Sequence, residues 1–115
     1  MNYEVNGTRL SIFQQDGSIK ETSFAWPIAQ VIEIEEVLVV RVEPRVGATD
    51  NQNVFGVGFD GSLLWQVARQ LHSYKDSPYT NISTVSEGVL LSNWDGTQLV
   101  LAPTDGVILS LSQGK

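Results

Sequence analysis

Residues 54 to 67, Val54-Phe55-Gly56-Val57-Gly58-Phe59-Asp60-Gly61-Ser62-Leu63-Leu64-Trp65-Gln66-Val67, decide the fold of this chain. Asp60-Gly61 is a dipeptide that accepts the positive φ angles of a tight hairpin turn, and apolar residues alternate on both sides of it. β-branched and aromatic side chains fill those flanks, which suits a pleated ladder better than a helix. The same signal recurs at Asn6-Gly7, Asp16-Gly17, Asp95-Gly96 and Asp105-Gly106, so five of the ten glycines follow Asn or Asp. Val89, Leu91 and Asn93 lead toward Asp95-Gly96, Leu99 and Leu101 leave it, and Ile108 and Leu109 follow Asp105-Gly106. The expected fold is all-β: antiparallel hairpin and meander sheets, blade-like, in a small sandwich or a partly open barrel, forming one domain over residues 1–115.

The rest of the chain is read against that pattern. Ile28 to Val42 is the longest apolar run, broken by Glu33, Glu35 and Glu36. Ile32 and Ile34 share one face and Glu33 and Glu35 the other, so the first half is a half-buried strand with an acidic side. Val37 to Val40 is a strand covered on both faces, and Glu35-Glu36 is placed in a turn between the two, with one continuous strand as the alternative. Pro44 and residues 47–52 make the longest polar loop, and Asp76-Ser77-Pro78 marks another break. Leu64, Val67, Ala68 and Leu71 have helical spacing, which sets a short helix over 63–73 against a strand and loop. The strand is preferred because Leu63, Trp65 and Val67 alternate directly after a turn.

The two ends of the chain repeat one another. With Asn6 set against Asp95, Gly7 meets Gly96, Leu10 meets Leu99, Ile12 meets Leu101, Asp16-Gly17 meets Asp105-Gly106 and Ile19 meets Ile108, without a gap. Repetition of a supersecondary unit is how β arrays are written. Residues 53–67, with their Leu64-Trp65 exit strand, and residues 97–109, with Leu99-Val100-Leu101-Ala102 before Thr104-Asp105-Gly106, resemble the blade repeats of quinoprotein-type (PQQ-like) β-propellers. In the second segment Leu109 stands where the blade tryptophan would be. The chain is too short for a closed propeller. The resemblance therefore implies blade-like sheets, packed as a small sandwich or completed by further copies of the chain, and it carries over no quinone or metal ligand.

Composition narrows the function. Thirteen acidic residues against seven basic give a net charge of −6, and the bases are scattered, which disfavours nucleic acid and membrane surfaces. There is no cysteine, so disulfides and thiolate chemistry are excluded. No signal-like or membrane-length apolar stretch is present, and the expected location is the cytoplasm. His72 is the only histidine and is read as a surface or loop residue. Glu33 and Glu35 are weighed as a carboxylate pair and read as a solvated face. Asp50, Asn51 and Asn53 lack the spacing of a calcium loop. Gly56 and Gly58, in place of a phosphate loop, allow a bulge or close packing against Phe55, Phe59 or Trp65. No cofactor or metal is expected.

Aromatic residues remain as candidates. Trp26, Trp94, Tyr74 and Tyr79 are taken as the ligand- or partner-binding residues, with Trp65 assigned to the core. The function expected is a non-catalytic protein-interaction domain that self-associates. A small-molecule domain with an aromatic pocket and an acidic immunity- or antitoxin-like protein are the alternatives.

Overall fold

The computed structural model describes residues 2–72 and 74–113. Eleven strands follow one another: β1 Tyr3–Asn6, β2 Arg9–Phe13, β3 Ile19–Ser23, β4 Ile28–Ile34, β5 Val37–Val42, β6 Val54–Gly58, β7 Leu63–Gln66, β8 Tyr79–Val85, β9 Gly88–Asn93, β10 Gln98–Leu101 and β11 Ile108–Ser112. They form three antiparallel meanders, β1-β2-β3, β4-β5-β6-β7 and β8-β9-β10-β11, and none of them closes into a barrel. The expected all-β fold is the observed one. Residues 67–72 continue from β7 without regular structure, so the helical spacing of Leu64, Val67, Ala68 and Leu71 is not used.

Alternation along β5 explains how three sheets make one body. Leu38, Val40 and Val42 point to one side and join Leu10, Ile12 and Val57 in a core between the first two sheets. Val37 and Val39 point to the other side and meet Val54, Trp65, Ile82, Leu91 and Leu99 in a core between the second and third sheets. All six residues of β5 are buried, as the reading of Val37 to Val40 required. The radius of gyration, 14.0 Å, is close to the ~13 Å of a compact chain of this length, so the sheets are stacked rather than strung out.

The turns carry the chemistry read from the sequence. In Gln14-Gln15-Asp16-Gly17-Ser18, Gly58-Phe59-Asp60-Gly61-Ser62 and Asn93-Trp94-Asp95-Gly96-Thr97, the glycine amide donates to the first carbonyl, and the aspartate Oδ1 accepts from the amide that follows the glycine. Gly7 instead takes the first place of a two-residue loop, Gly7-Thr8, because Asn6 pairs with Arg9. Glu35 and Glu36 form the β4–β5 turn, both at positive φ, 49° and 63°. Glu35 therefore does not share a strand face with Glu33, and the carboxylate-pair reading loses its geometry. One hairpin had no turn signal: Ser86-Glu87 joins Val85 to Gly88.

Packing against the Trp65 ring accounts for Gly56 in β6 and for Gly106 in the β10–β11 turn, whereas Gly58 faces the Asp60 and Ser62 side chains. A methyl group at Gly56 would overlap the Trp65 indole, and one at Gly106 would lie 2.7 Å from the same ring. Trp65 donates through Nε1 to the Pro103 carbonyl at 2.7 Å, which ties β7 to the β10–β11 turn. The register between β6 and β7 shifts at Gly56/Val57. The repeat also has a structural form: β3 and β11 cover aligned positions, 19–23 and 108–112, and Leu10, Ile12, Leu99 and Leu101 are all fully buried. Among the described residues no helix is long and apolar enough to cross a membrane.

Candidate binding surface at the loop end

Because each sheet is a meander, successive connections alternate between two ends of the stack. One end holds the short turns 14–18, 35–36, 59–62, 86–87 and 102–107. The other holds Gly7-Thr8, residues 24–27, the long connections 43–53 and 67–78, and the 94–97 turn. Long connections without regular structure need a reason to stay ordered, and here side chains supply it. Asn51 donates to the Lys75 carbonyl at 2.8 Å and accepts from the Ser77 amide at 2.8 Å. Asn53, fully buried, donates to the Val42 and Tyr79 carbonyls and accepts from the Tyr79 amide. Ser77 and Asn93 bond to each other through side chain and backbone, and the Trp94 amide donates to the Pro78 carbonyl. Asp50 accepts from Trp26 Nε1 at 2.9 Å and from the Gln52 amide. The oxygen-rich residues Asp50, Asn51 and Asn53 are thus fasteners of the loop end.

His72 corrects its reading as a surface residue. It lies in the 67–78 connection, but its side chain is 2% exposed and its Nδ1 is 2.9 Å from Asp95 Oδ2. Burial alone would raise the Asp95 carboxyl, but bonds from the Thr97 backbone and hydroxyl, together with His72, hold it at about 2. Asp95 is therefore ionised, and His72 Nδ1 carries the proton between them. His72 Nε2 is then left sealed from solvent with no hydrogen-bond partner among the described residues, and so is the Tyr79 hydroxyl, whose ring meets the imidazole edge-on at 6.3 Å. Burial, with the charge of Asp95, pushes the Tyr79 phenol up to about 12, and the nearby Asn93 amide only softens this without a well-formed bond to the hydroxyl. Among the described residues no hydroxyl hydrogen-bonds Nε2. The His72–Asp95 contact clasps the 67–78 connection to the 94–97 turn.

All four aromatic candidates are brought to this end, with different exposures. Trp94 is 65% exposed at the tip of its turn and Tyr74 is 59% exposed on its loop. Trp26 is half-buried against the first core, tied to Asp50, with the Arg45 guanidinium 5.7 Å above its ring. Tyr79 is fully buried, which removes it as a contact residue; strand alternation aims it into the second core. The sequence reading had passed over Leu71, 98% exposed beside Tyr74. Between the 43–53 and 67–78 connections lies a cleft of about 430 Å3, lined by Asn51, Gln52, Arg69, Tyr74 and Lys75 among others.

Charge is also divided between the ends. Arg45, Arg69 and Lys75 stand on the loop end. The hydrogen bonds from Trp26 and His72 leave the charges of Asp50 and Asp95 in place, and Glu43 pairs with Arg41 at 2.7 Å. With Asp76, the four carboxylates there balance Arg41, Arg45, Arg69 and Lys75, so this end is near neutral. The turn end carries Asp16, Glu35, Glu36, Asp60, Glu87 and Asp105, at least one on every turn, with Lys20 beside Gly61 as the cation near them. No curated protein matches the chain. Residues 1–112 match a family described as Domain of unknown function (DUF7957), and the chain belongs to that family.

Proposed function

We propose that this chain is a non-catalytic protein-interaction domain that assembles with further copies of itself, the loop end of one copy seating on the turn end of the next. What carries the reading is the division of charge between the two ends, with exposed Trp94, Tyr74 and Leu71 set among Arg45, Arg69 and Lys75. Tryptophan, tyrosine and arginine are the side chains that dominate binding energy at protein interfaces. A rigid loop end adds to this, because the bonds of Asn51, Asn53 and His72 order the contact residues before any partner arrives. A near-neutral end that presents Arg45, Arg69 and Lys75 and an acidic end on the same molecule favour heterologous, head-to-tail contacts, which close into rings or run on as filaments.

Sedimentation velocity over a range of concentrations, at low and at high ionic strength, tests the proposal. The expected result is mass that grows with concentration at low salt and falls at high salt, with Trp94→Ala weakening association about tenfold or more. A monomer at every concentration, or a dimer indifferent to salt and to Trp94→Ala, would overturn it.

A further inference from the structure

We infer that the free edge of β1 is a docking site for an extended peptide strand of a partner protein, with aliphatic side chains turned inward and basic side chains turned outward. The first sheet has three strands where the others have four. The repeat aligns β2 with β10 and β3 with β11, so β1 holds the place in strand order that β9 holds, and β9 is covered on its far side by β8. Among the described residues nothing covers β1 in that way: it pairs with β2 alone, and all four of its residues are exposed.

The backbone fixes which groups are free. The Phe13 amide donates to the Asn2 carbonyl, so the ladder to β2 is bonded at Asn2, Glu4 and Asn6, and the amides and carbonyls of Tyr3 and Val5 face outward. Their side chains pair with Ile12 and Leu10, and so lie on the core-facing side, where they are 36% and 41% exposed. Together with Ile28 and Val31 of β4 they line a groove of about 240 Å3 along this edge. Glu4 projects to the other face and has no ion partner among the described residues. A strand laid on this edge therefore meets apolar surface on its inner side and a carboxylate on its outer side.

The other edges are blunted in the ways that prevent strand addition. The core-facing side of β3 carries Lys20. Register shifts interrupt β4, β7, β8 and β11. The edge of β8 is further occupied by Gln30, whose Oε1 accepts from the Ile82 amide at 3.0 Å while its Nε2 donates to Asn81 Oδ1 at 3.0 Å. β1 has none of these devices. A second copy of the same edge fits poorly: a two-fold pairing that keeps the faces continuous either opposes Glu4 to Glu4 or spans only three of the described residues, 2 to 4 around Tyr3 or 4 to 6 around Val5. Strand addition by a partner of the stated chemistry satisfies the backbone, the groove and Glu4 together.

The test is a titration of the isotope-labelled full chain with a blocked peptide alternating valine and lysine, of the seven-residue length of β8, followed by amide shifts. Expected are shifts confined to β1 and residues 28–31, loss of binding when the peptide is N-methylated at alternate residues, and, in Glu4→Lys, a reversed preference for a second peptide in which glutamate replaces each lysine. Val5→Pro removes an outward amide together with the Val5 side chain that lines the groove, and should weaken binding about tenfold or more, at least the worth of a hydrogen bond. If Val5→Pro fails to fold, the methylated peptide and Glu4→Lys decide the matter. No shifts at saturating peptide, equal binding of the methylated peptide, shifts centred on another edge, or concentration-dependent shifts of Tyr3 and Val5 in the protein alone would each overturn the inference.

Discussion

Asp95 uses both oxygens of one carboxylate for different purposes. Oδ1 accepts from the Thr97 amide and closes the turn, while Oδ2 faces His72 Nδ1 and clasps the 67–78 connection. Its folded value of about 2 lies below the ordinary 3.8, so its contribution to stability is complete above about pH 4 and is lost as the pH falls through about 2. With a side chain only 5% exposed, that contribution is about 2 kcal/mol. Melting curves of the wild type and Asp95→Asn should therefore differ most near neutrality and converge in acid; a difference that does not change with pH would refute the assignment. The turn role of Asp95 was legible, since Asp-Gly after an alternating strand specifies it. The clasp was not: His72 lies 23 positions away on a segment without periodicity, and only the path of that segment brings the two together. Tyr79 was misjudged for a related reason, because aromatic character alone does not tell the buried face of a strand from a loop.

Hairpins were the most legible elements, and the exceptions are informative. Asp16-Gly17, Asp60-Gly61 and Asp95-Gly96 turn through a shared geometry that depends on glycine at positive φ and on the aspartate oxygen, both visible in the sequence. Ser86-Glu87 carried no such residues, and the hairpin of β8 with β9 was not read from the sequence. Glu35-Glu36 was placed in a turn by the break in the apolar run, but its left-handed backbone was not foreseeable, because a two-residue loop with both φ angles positive ordinarily takes Asn-Gly. Holding two glutamates there costs about 1 kcal/mol or more of backbone strain. Glu35→Asn/Glu36→Gly should raise stability by that amount in denaturant titrations. Under the head-to-tail assembly, the same double substitution should weaken self-association in sedimentation, since it removes two of the turn-end carboxylates. Unchanged stability would mean that the strain is relieved elsewhere in the hairpin.

At the scale of the whole molecule, β5 determines whether three small sheets behave as one structure. Its side chains alternate between two cores, so neither core can open without exposing residues that the other holds in place. The alternation was legible as a strand buried on both faces; the number of sheets was not, because turn signals count hairpins without saying where one sheet ends. Two tryptophans report on the two cores separately. Trp26 packs against the core between the first and second sheets, and Trp65 lies within the core between the second and third. In a Trp65→Phe/Trp94→Phe background, Trp26 fluorescence should follow the same denaturation midpoint as far-ultraviolet circular dichroism. Adding Val39→Ala, a cavity in the opposite core, should lower that midpoint by the equivalent of about 2 kcal/mol. A single cooperative unit requires the distant cavity to be felt at Trp26. If Val39→Ala moved the circular dichroism transition while the Trp26 transition stayed in place, the two cores would be unfolding independently, and β5 would be a shared wall rather than the element that couples them.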